Sequence, residues 1–257
     1  MSMATHRNER YPLVREMSPS EQTGMVREVF STIHQRYDFL NHLFSLRRDI
    51  AWRRFAAQKM VFFKTYRYLD VATGTADLAI EAARLNEDIK VTGLDFVRIM
   101  MTTGLQKLDL HCLGERVQLI QGDALDLPFP ESHFDVTGIA FGIRNIPDRK
   151  KALEEMKRVT VPGGQVMVLE MNFPQSLFFN WLYARYLKHI LPYAARLLSR
   201  NPAAYCYLAD SIIHFPTPEE FALIMEETGL QNVKKYRLSW GITHLYVGLK
   251  AGENEGT

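Results

Sequence analysis

Tyr68-Leu69-Asp70-Val71-Ala72-Thr73-Gly74-Thr75-Ala76-Asp77-Leu78-Ala79-Ile80 passes from a short apolar run, through a loop of small side chains, into helix-forming text. A strand that turns so tightly into a helix is half of a crossover unit, and the pattern recurs downstream. Apolar runs stand at Val91–Asp95, Val117–Ile120, Asp135–Ala140 and Gln165–Glu170, with helical text between most of them. Such alternation predicts a largely parallel sheet with helices on both faces. Asp148 is placed to cap a helix whose apolar positions Ala152, Met156 and Val159 have helical spacing, and Pro162-Gly163-Gly164 predicts a turn into the fifth strand. Thr217-Pro218-Glu219-Glu220 has the arrangement of a capping box, and Gly229 suits the end of that helix. Val233–Leu238 and Thr243–Leu249 follow with only Ser239-Trp240-Gly241-Ile242 between them. So short a connection excludes a helical crossover and predicts an antiparallel hairpin, which separates this chain from the six-parallel-strand dinucleotide fold.

Residues 1–24 are polar, with Pro12, Pro19 and Gly24, and predict a loose arm. Residues 25–250 read as a single domain, with an N-terminal helical cap at 25–64, a helical insertion at 172–210 and a tail at 251–257. Arg47, Arg48, Arg53 and Arg54 crowd around Trp52, for which a solvated helix face is the plain reading.

With 31 basic and 29 acidic residues among 257, the formal net charge is +2, so nucleic-acid binding gains no electrostatic support. A hydrophobic share of 47% against 23% charged excludes a disordered chain or a fibre. Cys112 and Cys206 form no C-x-x-C, which suits a reducing compartment and argues against a structural zinc or a disulfide scaffold. Met1 to Arg10 lacks the apolar stretch of a secretory signal, and no apolar run approaches the ~20 residues needed to span a bilayer. A cytoplasmic protein is expected.

In open α/β sheets, ligands bind beyond the carboxyl ends of the strands. After the first strand, the small-residue loop around Gly74 lets a ligand approach the backbone and the amides that open the next helix. Asp95 ends the second strand about 20 residues further on, where an acid can accept from both hydroxyls of a ribose. Gln121-Gly122-Asp123-Ala124 ends the third and offers polar groups to an adenine edge. Together these loops indicate a nucleoside ligand. A pyrophosphate needs a glycine-rich cradle, whereas this loop reads Ala72-x-Gly74-x-Ala76 and places Asp77 beside it. S-adenosylmethionine has no phosphate, and its sulfonium and ammonium are positive. Asp70 and Asp77 suit that cofactor better, as does the terminal hairpin.

From about Met25 to Lys250 the chain resembles the ubiquinone/menaquinone biosynthesis C-methyltransferase family, within the class I S-adenosylmethionine-dependent methyltransferases. Tyr37-Asp38-Phe39-Leu40-Asn41 looks like the family's Y-D-x-M-N signature, and residues 69–78 match its L-D-L-A-x-G-T-G-D-L loop. Leu127-Pro128-Phe129-Pro130, Phe134-Asp135, Phe141-Gly142-Ile143-Arg144-Asn145, Arg158-Val159-x-x-Pro162-Gly163-Gly164 and Tyr207-Leu208-Ala209-x-Ser211 are similar to successive family motifs. The F-G-I-R-N run is the most specific, since most methyltransferases lack it. The chain departs from the family pattern at Asp49, Ala76, Ala140, Val161, Asn172 and Tyr246.

The resemblance implies an α/β, Rossmann-like methyltransferase fold: a seven-stranded, mostly parallel sheet with an antiparallel terminal strand. It implies methyl transfer from S-adenosylmethionine to a ring carbon of a polyprenylated quinol precursor, without a metal. The cofactor contacts it carries over are Thr75 in the loop, Asp95 on the ribose, Asp123 with Ala124 at the adenine, and the backbone of Ala140. Arg144 would hold the phenolate-like charge of the acceptor, its plain alternative being a salt bridge to Asp148 or a neighbouring acid. Asn145 would position the acceptor, and Tyr37, Asp38 and His42 would line the site if the N-terminal helix covers it. A different amphipathic acceptor (a phospholipid amine or small phenol) and a non-catalytic cofactor-binding partner are the competing classes. Between Glu170 and Asp210 the chain has no acidic residue, while Arg185, Lys188, Arg196 and Arg200 stand among aromatic side chains. That composition predicts reversible contact of residues 172–210 with the inner face of an anionic membrane. A homodimer is compatible with the sequence.

Overall fold

The computed structural model describes residues 17–33, 37–172, 185, 207 and 210–252. Seven strands form one sheet in the order β3-β2-β1-β4-β5-β7-β6. In chain order they are β1 (Arg67–Val71), β2 (Lys90–Asp95), β3 (Val117–Gln121), β4 (Phe134–Ala140), β5 (Thr160–Met171), β6 (Leu230–Leu238) and β7 (Thr243–Lys250). The first five are parallel, and β7 enters antiparallel between β5 and β6. The hairpin expected from the four-residue connection is therefore present, with β7 rather than β6 zipped to the parallel sheet.

Helices α1 (Pro19–Ile33), α2 (Tyr37–Phe44) and α3 (Arg48–Gln58) precede the sheet, and α4 (Asp77–Leu85), α5 (Arg98–Leu110) and α6 (Arg149–Val159) fill the crossovers. Helix α7 (Pro218–Glu227) leads into β6. Alternation along the strands divides the core into two layers. Tyr68, Met167 and Leu169 face Trp52, Ala56 and Ala79 from α3 and α4. Leu69, Val166 and Val168 face Leu153 and Met156 from α6, with Phe221 and Met225 from α7. Gly138 of β4 leaves room for the neighbouring ring, since a Cβ there would lie 2.7 Å from the Tyr68 hydroxyl. Asp148 caps α6, accepting from the Lys151 amide at 2.9 Å, and Thr217 with Glu220 forms the reciprocal capping box of α7.

Two boundaries differ most from the sequence reading. Helix α1 starts at Pro19, inside the stretch expected as a loose arm. Ser18-Pro19-Ser20-Glu21 is a second capping box: the Ser18 amide donates to Glu21 at 2.8 Å, and the Glu21 amide donates to the Ser18 hydroxyl at 3.4 Å. The three breaker residues nearby obscured it. Strand β5 begins at Thr160, so Pro162-Gly163-Gly164 lies inside the strand as a bulge, where the register jumps from Phe134↔Thr160 to Val136↔Gln165. Opposite that bulge is Asp135, fully buried, which accepts from the amides of Phe63, Lys64, Thr65 and Tyr66 at 2.8–3.1 Å.

Candidate active site

A cleft opens along the carboxyl ends of β1 to β4. Its floor is Ala72 and Gly74 after β1, Asp95 at the end of β2, Asp123 and Ala124 after β3, and Ala140 at the end of β4. Leu94, Val97, Met100 and Leu125 make an apolar slot, and Asn145 stands at the β4 end. Among the described residues, one wall comes from the N-terminal helices, but from Thr23, Val26 and Phe30 of α1 rather than from the expected Asp38 and His42. Arg27 fixes that helix by lying over the Phe96 ring at 4.5 Å. The Ser18 capping box was the sequence signal for a helix there, but nothing in the local pattern says which loops it covers.

Of the expected cofactor residues, Gly74, Asp95, Asp123, Ala124 and Ala140 line the cleft together. Asp70, Thr75 and Asp77 do not. Asp70 is buried beneath the loop, accepting from the Thr73 hydroxyl at 2.6 Å and the Tyr68 hydroxyl at 3.1 Å. Thr75 donates to Asp38 of α2 at 2.6 Å. Asp77, expected beside the positively charged cofactor, bonds the Lys107 ammonium and faces Arg53 at 3.6 Å. Burial pushes the Asp77 carboxyl up, but those two cations outweigh it and hold the group below the usual range. A short acid at the start of a helix is indistinguishable in sequence from a ligand-facing one.

The loop backbone is unusual. Ala72, Gly74 and Ala76 have φ of +52°, +56° and +65°. Left-handed conformation costs a non-glycine residue roughly 1–2 kcal/mol, so the surrounding bonds must enforce it. Asp95 supplies one, accepting from the Gly74 amide at 2.7 Å with one oxygen and from the Val97 amide at 2.7 Å with the other. Burial raises its carboxyl above the ordinary range, against those two amides.

Burial likewise raises Asp70 to about 6 from the ordinary 3.8. A carboxyl raised in the folded state makes the fold bind its proton more tightly than the unfolded chain does. Stability at this site is therefore greatest below about pH 4 and falls as pH climbs to about 6. Denaturant unfolding of wild type against Asp70→Asn across this window should show wild type losing about 3 kcal/mol relative to the variant. Parallel curves would contradict the assignment.

Arg144 requires a correction. It is 4% exposed and absent from the cleft lining. Its guanidinium bonds Glu170 at 2.5 Å and the Phe141 carbonyl at 2.8 Å, while its amide donates to the other Glu170 oxygen at 3.3 Å. Arg144 thus fixes the loop after β4 to β5, and among the described residues its guanidinium faces Glu170 rather than the cleft. Its neighbour Asn145 does line the cleft and accepts from the Tyr207 hydroxyl at 3.0 Å. Burial carries the Tyr207 hydroxyl up to about 12, so Tyr207 stays protonated and serves as a donor.

The cap residues divide. His42 bonds Asp49 at 2.8 Å, and Arg53 bonds the same carboxylate at 2.6 Å, so both serve the buried Asp49 rather than the cleft. Arg47, Arg48 and Arg54 are exposed, as a solvated face requires. Tyr37 opens α2, and its side chain lies outside the described residues. Two departures from the family pattern are coupled: the Tyr246 hydroxyl donates to Asn172 at 3.0 Å.

Among the described residues, no Lys, Arg or His lines the cleft, whereas two carboxylates, Asp95 and Asp123, do. Such a surface repels a pyrophosphate and suits a neutral or cationic nucleoside with an apolar base slot, the chemistry of S-adenosylmethionine. The strand order and the single antiparallel strand define a class I methyltransferase fold. An S-adenosylmethionine-dependent methyltransferase structure from Aquifex aeolicus shares it, with TM-score 0.56 and 17% identity over 77% of this chain and 89% of that one. The profile of the ubiE/COQ5 methyltransferase family matches residues 17–250. The ubiquinone/menaquinone biosynthesis C-methyltransferase UbiE of Geotalea daltonii is 41% identical over 90% of this chain and 98% of its own length. The demethylmenaquinone methyltransferase of Deinococcus radiodurans is 42% identical over 88% and 92%. The protein belongs to the ubiE/COQ5 methyltransferase family and is an S-adenosylmethionine-dependent methyltransferase.

Proposed function

We propose that this enzyme methylates a ring carbon of a polyprenylated quinol, demethylmenaquinol or the corresponding ubiquinol precursor. The observation that carries the reading is the cleft lined by Asp95 and Asp123 and, among the described residues, by no Lys, Arg or His, in a chain about 40% identical to quinone C-methyltransferases over nearly their whole length. When bound, S-adenosylmethionine supplies an electrophilic methyl on a positively charged sulfur. Asp95 would accept from the ribose hydroxyls, Asp123 and Ala124 would meet the adenine edge, and the Gly74 and Ala140 backbones would flank the methionine end. Asn145 orients the acceptor: its Oδ1 is occupied by Tyr207, which leaves its NH₂ to donate to a ring oxygen. Alignment of the carbon nucleophile with the methyl supplies much of the rate.

A radiolabelled methyl-transfer assay against lipid extract from a quinone-deficient strain tests this. Label in quinone is expected; label in phospholipid, or none, sinks the reading. Asn145→Ala should lower kcat about tenfold, one lost hydrogen bond, with donor affinity unchanged.

The acceptor's polyprenyl tail resides in lipid. The insertion 172–210 lies almost wholly outside the described residues, but its acid-free, basic and aromatic composition supports peripheral attachment at the inner face of the membrane from the cytoplasm. Among the described residues, no helix is long and apolar enough to cross a membrane. Wild type should sediment with anionic vesicles at low salt, and replacing Arg185, Lys188, Arg196 and Arg200 with Gln should release it. The same samples on a sizing column separate monomer from homodimer.

A further inference from the structure

Three successive residues of the donor loop are each held by a carboxylate from a different element. Thr73 donates to Asp70 of β1 at 2.6 Å, the Gly74 amide to Asp95 of β2 at 2.7 Å, and Thr75 to Asp38 of α2 at 2.6 Å. Asp38 comes from outside the sheet, 37 residues before Thr75. Its second oxygen accepts from Lys107 of α5 at 2.7 Å, and the same ammonium bonds Asp77 at the start of α4. Lys107 thereby ties α2, α5 and α4 together at the loop. The loop needs such support because Ala72 and Ala76, which bracket these residues, are left-handed without being glycine. Ala76 has its methyl fully buried and φ of +65°, at a position where glycine would adopt the conformation freely.

We propose that Asp38, oriented by Lys107, is a positioning residue for the methyl donor: it latches the N-terminal helix α2 onto Thr75 and holds the loop in the strained conformation that the donor binds. Helix α2 is then part of the donor site although its latch residue does not line the cleft. The latch substitutes for the conformational freedom that Ala76 lacks. This rests on the donor assignment and is independent of the acceptor.

Calorimetry of the full chain with S-adenosylhomocysteine, the demethylated donor, tests it. Asp38→Asn should raise Kd about tenfold, the loss expected for one charge-assisted bond. Lys107→Met should act in the same direction, and Lys107→Arg should stay near wild type. Ala76→Gly alone should bind within about threefold of wild type. The double variant Asp38→Asn with Ala76→Gly should recover to within about threefold of Ala76→Gly, because glycine removes the strain that the latch opposes. A residue that merely stabilises the fold, or touches the donor directly, is not rescued by glycine at a neighbouring loop position. Equal affinity of Asp38→Asn and wild type overturns the proposal, and so does failure of Ala76→Gly to rescue. If Asp38→Asn melts below the assay temperature, Lys107→Met with and without Ala76→Gly decides by the same criteria. A wild type that binds no S-adenosylhomocysteine overturns the donor assignment together with the latch, whereas binding without quinol methylation leaves the latch standing and removes only the acceptor reading.

Discussion

Asp135→Ala is expected to destabilise the protein by roughly 3–5 kcal/mol, the largest effect of any single change considered. The carboxylate is fully buried and accepts four consecutive amides, Phe63 to Tyr66, that join the helical cap to β1. Each bond to a charged acceptor contributes on the order of 1.5–3 kcal/mol. The loop residues are mostly exposed, so water re-satisfies some amides and the total falls short of the sum. For a chain of this length the melting temperature should drop by about 10 °C, read by calorimetry. Burial opposes ionisation of Asp135, but the Thr65, Lys64, Tyr66 and Phe63 amides outweigh it and depress the group below 3.8. A carboxyl depressed in the folded state stabilises fully above its unfolded value, and the stabilisation drains away as pH falls through the folded value. The gap between wild type and Asp135→Ala should therefore be constant near neutrality and narrow below about pH 4. A constant gap down to pH 2 would show that the carboxylate charge is not the cause.

Asp95→Ala should raise the dissociation constant for S-adenosylhomocysteine at least tenfold, with about 1.5–3 kcal/mol lost from the ribose contacts alone. The same side chain holds the Gly74 and Val97 amides, so the variant also releases the loop that receives the donor. Asp95→Asn keeps one acceptor oxygen and should recover part of the affinity, which separates loop support from charge. Calorimetry showing unchanged affinity in Asp95→Ala would remove Asp95 from the donor site.

The alternation of apolar runs with helical text and the four-residue link before Thr243 were enough to specify a parallel sheet closed by a hairpin. Both are local consequences of spacing and reach. Gly74, Asp95 and Asp123 were legible for a similar reason: in this class of sheet, the residue that ends a strand also sits at the ligand edge. The Ser18 capping box is written in the sequence as well, but Pro12, Pro19 and Gly24 around it carry the opposite, chain-breaking signal.

What a charged side chain does could not be read the same way. Arg144, which the family resemblance puts at the acceptor, and Asp77, which the loop reading puts at the cofactor, are each committed to a partner brought from a distant segment: Glu170 in one case, Lys107 and Arg53 in the other. Asp38 and Thr75 meet because α2 folds back onto the loop, and α1 walls the cleft where Arg27 docks on Phe96 and Gln22 donates to the Asn145 carbonyl. Strand order, hairpin and ligand edge follow from backbone periodicity and connection length, which the sequence carries residue by residue. The pairing of buried charges is decided by tertiary packing, since desolvation compels each to take the opposite charge that the folded chain brings within reach.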